Sequence, residues 1–94
     1  AANFVSSSDI RLKGNIEDID GAINKVMQLR GVSYVKQDRK EIGVIAQEIE
    51  EVIPEVVHTA ADGYKSVAYG NIVGLLIEAI KDLQTQVDEL KANK

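Results

Sequence analysis

The last quarter of the chain most tightly constrains what it can fold into. Val73, Leu76, Ile80, Leu83, Val87 and Leu90 stand three, four, three, four and three residues apart. That alternation is a heptad, with Val, Ile and Val at the a positions and Leu at every d. Asn71 reads as an N-cap, and the pattern predicts one long helix over residues 70–94. Around Leu75–Ile80 the apolar face is wide, because Ile72, Leu75, Ile77 and Ala79 join it. This half is expected to lie on the rest of the domain. From Gln84 onward only the a and d positions stay apolar. A narrow stripe on a projecting helix has nothing to bury against except copies of itself, so self-association is expected. The alternative is a single amphipathic helix packed on its own domain. Val and Ile at a with Leu at d lean towards a dimer, so spacing alone does not set the number of chains.

Upstream of the helix the period changes. "DGAINKVMQLRG" reads as a short helix with Asp20 as N-cap, Gly31 at the stop and Met27 in the core. Ile16 and Ile19 sit in a weak turn before it. "VSYVK" (Val32–Lys36) is strand-like, Gln37–Lys40 reads as a turn, and "EIGVIA" (Glu41–Ala46) alternates Ile42, Val44 and Ala46 on one face. "QEIEEVIP" is a short helix in which Ile49, Val52 and Ile53 share a face and Pro54 ends the element. "EVVHT" and "YKSVAY" flank the turn signal "AADG", which predicts a second hairpin. The expected class is therefore α+β: short helices and hairpins, then a long C-terminal helix forming a coiled coil.

Composition narrows the function. The chain has 94 residues, net charge −4, no cysteine and one histidine. One domain is expected, with an aliphatic core, since aromatic residues are only 4%. The acidic balance argues against nucleic acid and against an anionic membrane surface, both of which need clustered Lys and Arg. The longest apolar run, Ile72–Ile77, is too short to span a bilayer. Without cysteine there are no disulfides and no thiolate chemistry. His58 is alone, so no metal site or other cofactor is expected; it reads as a partly exposed strand residue. Glu48, Glu50, Glu51, Asp88 and Glu89 read as solvated helix faces. The chain starts at Ala1 without a signal peptide and is expected to be a piece of something larger, residues 1–7 ending the preceding region. Phe4 and Val5 are expected to anchor a short strand.

One stretch carries candidate chemistry. In "SSSDIRLKGNI", Ser8 stands five residues before Lys13. A lysine activates a serine if the amine is neutral, which requires burial or a nearby positive charge. Arg11 can supply that charge, and Ile10 with Leu12 an apolar wall. A gap of five suits neither regular element. In a strand the two side chains lie on opposite faces about 17 Å apart, and on a helix they are about 140° apart. Ser8 and Lys13 can meet only across a bend or between neighbouring chains. The plain alternative is a serine-rich linker followed by a surface lysine.

"SDIRLKGNI", "LRGVSYV", "IGVIAQEIEEVIPEVV" and "YGNIVGLLIEAIKDLQTQVDEL" together resemble, in order and spacing, the C-terminal intramolecular chaperone domain of phage endosialidases, tailspikes and tail fibres, which also occurs in the eukaryotic myelin regulatory factor. The similarity runs from Ser8 to about Leu90, and the S-D-x-R-x-K start with the later G-x-I-A-Q-E and P-E-V block makes it specific. The resemblance implies a homotrimer over residues 8–94 that holds an upstream fibre in register while it folds, with Val73, Leu76, Ile80, Leu83, Val87 and Leu90 at the trimer interface. It implies that the domain then cuts itself off at Ser7–Ser8, with Ser8 as nucleophile and Lys13 as base, a single-turnover serine endopeptidase. Its partners would be copies of itself and the fibre segment of the same chain. It would act in the host bacterial cytoplasm during phage assembly and be released from the mature virion protein. A non-cleaving trimerisation module that stays on its fibre is the alternative.

Overall fold

A computed structural model describes residues 5–93. A 3-10 turn at Ile10–Leu12 is followed by α1 (Ala22–Val26), β1 (Val32–Lys36), β2 (Arg39–Gly43), α2 (Ala46–Val52), a second 3-10 turn at Pro54–Val56, β3 (Val57–Thr59), β4 (Lys65–Val67) and α3 (Tyr69–Ala92). The class is α+β, as the changes of period predict, with two separate two-stranded antiparallel sheets, β1–β2 and β3–β4.

The first hairpin turns more tightly than its sequence suggests. Lys36 pairs with Arg39 and Val32 with Gly43, so the loop is Gln37–Asp38 alone. Both loop residues have positive φ, 50° and 63°. That is the backbone of a two-residue turn whose twist matches its strands, usually built from Asn-Gly. Arg39 and Lys40, expected in the turn, are therefore in β2. The strand ends at Gly43, not Ala46, because the Tyr69 hydroxyl closes in there. It accepts a hydrogen bond from the Val44 N–H at 3.1 Å. A Cβ on Gly43 would lie 2.5 Å from that hydroxyl and 3.1 Å from the Tyr34 hydroxyl. Ala46 consequently opens α2, and Ile42 faces solvent on the hairpin. The second hairpin pairs Val57 with Val67 and Thr59 with Lys65 around the "AADG" turn, as expected.

α1 is shorter than the sequence suggests, and its cap is different. Gly21, at φ 64°, takes the N-cap position in place of Asp20 and has no side chain to cap with. The substitute comes from α3: the Asp82 carboxylate accepts from the Ile23 N–H at 3.3 Å. The helix stops at Val26, and Gln28 and Leu29 close it with tighter bonds to Lys25 and Val26 carbonyls. Met27, expected in the core, is at the C-cap and 76% exposed. The close contact with α3 is made by Ala22, which is fully buried.

The core is Ala22, Ile49, Ile53, Ile72, Leu75 and Ala79, with Ile23, Val26, Leu29, Val44, Val52, Val56, Val57 and Val67 around it. Ile49 and Ile53 come from the predicted face of α2, which ends before Pro54. α3 starts at Tyr69, two residues before the expected cap Asn71, and its own N-cap Ala68 makes no side-chain bond. Ile72, Leu75 and Ala79 bury on the domain, but Ile77, expected beside them, points outward and is exposed. At 100° per residue it lies well round the helix from Ile72 and Ala79. From Leu83 to Asn93 every side chain is exposed. The helix therefore projects, which explains a radius of gyration of 16.4 Å against about 12 Å for a compact chain of this length. Val5 is exposed and in no strand, and the expected partner Phe4 lies outside the described residues.

Candidate functional site

Two features stand apart from the packed core. The first is the loop that leads into it. Every described residue from Val5 to Gly21 is exposed, and its regular structure is one 3-10 turn. Asp9 enters that turn in extended conformation (φ −67°, ψ 135°) and Lys13 leaves it extended (φ −118°, ψ 145°). The Leu12 and Lys13 N–H groups donate to the Asp9 and Ile10 carbonyls at 3.0 and 3.1 Å. One tight turn between two extended residues folds the chain back on itself. The Lys13 Nζ thereby donates to the Ser8 Oγ at 2.6 Å within one chain. The bend that a gap of five requires is present, and no second chain is needed to form the contact.

The surroundings of the contact differ from expectation. Ile10 and Leu12 are 71% and 72% exposed, so neither walls Lys13 off from water. Arg11 does not lend a free positive charge either. Its Nε and Nη2 both donate to the Asp9 carboxylate at 2.9 Å. That bond, with the Arg11 backbone N–H behind it, holds the Asp9 carboxyl below its usual range and the Arg11 guanidinium above its own. Ser7 and Ser8 are both exposed and in no helix or strand, so the peptide between them is open to solvent. His58 lies exposed on β3. Among the described residues no group of three or more His, Cys, Asp or Glu is placed to hold a metal ion.

The second feature is the outer stripe of α3. Val73, Leu76, Ile80, Leu83, Val87 and Leu90 are all exposed, between 36% and 68%. The stripe is centred about 75° round the helix from the buried Ile72, Leu75 and Ala79. By spacing alone these two faces merge near the start of the helix; burial separates them. One stripe fixes the helix to its domain and the other faces solvent along its length.

Several polar contacts were not legible beforehand. Arg30 grips Glu48 with two nitrogens at 2.8 to 3.2 Å, and Lys65 bonds Glu50 and Thr59. Glu48 and Glu50 are thus partners of specific cations and not merely a solvated face. The Asp9 bond to the Arg11 N–H was readable in principle, since an aspartate readily accepts from the backbone two residues on.

An α+β domain with a serine–lysine contact at its entrance and an uncovered heptad helix at its exit is a narrow class. Residues 8–58 match the family described as chaperone of endosialidase, and the match begins at Ser8 itself. The chain belongs to that family. It is also similar to long tail fiber proteins Gp37: that of Enterobacteria phage K3 is 38% identical over 98% of this chain, that of Enterobacteria phage M1 36% over 89%, and that of Salmonella phage S16 30% over 90%. The chain spans only 8%, 38% and 13% of those proteins.

Proposed function

We propose that this domain is a trimerisation and folding chaperone at the end of a phage fibre, and that it releases itself by cutting Ser7–Ser8. Supporting the chaperone reading are the family, whose name is that of a peptidase as well as a chaperone, the tail-fibre relatives, and a heptad stripe left uncovered along its whole length. Intertwined fibres need long-range pairing that is slow and leaves edges exposed. A small domain that associates first raises the effective concentration of the attached chains. Its site of action would be the host cytoplasm during assembly.

The 2.6 Å Ser8–Lys13 contact carries the cleavage reading. The carbonyl of Ser7 is the next group along the chain from Ser8, so attack by Oγ needs no diffusion. Neutral Lys13 takes the Oγ proton as the new C–O bond forms. The C–N bond between Ser7 and Ser8 then breaks, and the proton passes to the departing α-amine of Ser8. Water hydrolyses the resulting ester, which returns the Ser8 hydroxyl and leaves Ser7 with a carboxylate. Backbone N–H groups are the natural donors to the developing oxyanion.

An ammonium donating to Oγ is not yet a base. A neutral amine needs apolar cover or a free positive charge nearby, and here Arg11 is paired and Ile10 and Leu12 are open. Assembly would therefore gate the reaction by covering this loop, not by bringing Ser8 and Lys13 together. The test is intact mass spectrometry of the protein with its upstream segment attached. A product beginning at Ser8, absent in Ser8→Ala and in Lys13→Ala, is expected. A wild type that assembles and keeps its full mass would leave the non-cleaving trimerisation module standing instead.

A further inference from the structure

The loop around Ser8 has to hold its bend without help from the core. From Val5 to Ile16 every described residue is exposed, and none of them lies in a strand or α-helix. Only local bonds keep it folded back. Three of them converge on one carboxylate. Asp9 Oδ1 accepts from the Arg11 backbone N–H at 2.8 Å and from Arg11 Nε at 2.9 Å, and Oδ2 accepts from Arg11 Nη2 at 2.9 Å. The first caps the 3-10 turn; the other two grip the guanidinium in a fixed fork. Both ends of the clip lie between Ser8 and Lys13, the two residues whose contact the turn creates.

We propose that Asp9 and Arg11 form a positioning clip that holds Lys13 at the Ser8 hydroxyl, and that neither touches the reacting atoms. This rests on the self-cleavage reading above. An exposed pair of this kind adds little to global stability. Its effect falls on the bend, because a side chain of four methylenes reaches Ser8 Oγ only if its backbone leaves the turn in the right direction. A misplacement of about 1 Å at a reacting centre lowers a rate by up to about 100-fold.

The test compares variants in the protein with its upstream segment attached. Asp9→Asn keeps an oxygen for the Arg11 N–H and so retains the cap while losing the charged fork. Arg11→Ala also retains the cap, and Asp9→Ala removes both. Self-cleavage is expected to slow about tenfold in Asp9→Asn and Arg11→Ala and about 100-fold in Asp9→Ala. Asp9→Asn combined with Arg11→Ala should be no slower than either alone, since both break one fork. Melting temperature and oligomeric state should stay at wild-type values, which separates positioning from a general loss of fold. A second readout does not depend on cleavage: the nuclear Overhauser contact between Ser8 β and Lys13 ε protons should be strong in the wild type and lost in Asp9→Ala. Wild-type rates together with an unchanged Overhauser contact in all three variants would overturn the clip. If the wild type itself is not cut, the cleavage reading fails, and the clip stands or falls on the Overhauser contact.

Discussion

The two halves of α3 are one continuous helix with opposite relations to water. In the first half Ile72, Leu75 and Ala79 are buried against α1 and α2, and Asp82 marks the last contact by capping α1 at Ile23. In the second half, from Leu83, every side chain is exposed, although Leu83, Val87 and Leu90 continue the apolar spacing. An isolated helix of this length is marginal without tertiary packing. The difference teaches that the chain finishes its core with its own residues and leaves the apolar stripe of its distal helix to solvent, which is the surface the proposed association would bury. The outer stripe also runs back over the first half through Val73, Leu76 and Ile80. Association would therefore begin on a surface that folding has already made rigid.

The most severe way to break this arrangement is to place charge on the outer stripe of the distal half alone. Leu83→Asp with Leu90→Asp should convert an assembled protein into a folded monomer by analytical ultracentrifugation, with circular dichroism retained for the hairpins and α1. Self-cleavage of the attached segment should fall with assembly. Full-rate cleavage by a proven monomer would sink the view that assembly covers the loop.

The complementary cut is made in the proximal half's contacts. Ile49 is 1% exposed and touches the inner face of α3 through the common core. Ile49→Ala in the monomeric background should cost about 2–5 kcal/mol of unfolding free energy in urea. Ile80→Ala, at a residue 65% exposed in the single chain, should leave that monomer nearly unchanged while weakening assembly of the otherwise native protein. Equal losses from both substitutions in the monomer would mean that the two stripes are not separate.

How much of this was legible in the sequence follows the range of the interactions. The long C-terminal helix, the second hairpin and the end of α2 before Pro54 are local signals and appear where the sequence places them, and the first hairpin is present with its turn and second strand shifted towards the N-terminus. What was misread depends on residues far away in sequence. Asp20 looked like a cap, but the donor at Ile23 is met by Asp82, 59 residues on. β2 was expected to run to Ala46, but Tyr69, 25 residues beyond Val44, takes its N–H. Met27 fitted a helical face, and nothing local showed that α1 would end beside it. At Ser8 the gap of five correctly demanded a bend. The Asp9–Arg11 clip beside it depends on a side-chain pairing that spacing does not specify, since Arg11 could equally have faced Lys13.

The smallest expected effect concerns the polar edge of the packed half, where Arg30 ties the end of the α1 region to Glu48 on α2. The Arg30 guanidinium bonds both Glu48 oxygens and holds that carboxyl below its ordinary value. A carboxyl that is more acidic in the folded than in the unfolded chain stabilises the fold at pH above its unfolded value. That stabilisation is lost as pH falls through the lowered folded value. In the monomeric Leu83→Asp, Leu90→Asp background, Arg30→Gln should therefore have a lower urea midpoint at neutral pH. The two curves should converge as the pH drops below the ordinary glutamate range, near 4.3. Both partners are open to solvent, so added salt should narrow the neutral-pH gap as well. A gap that persists unchanged at low pH would assign the Arg30 contribution to its aliphatic stem lying over the α1–α2 junction, and not to its charge.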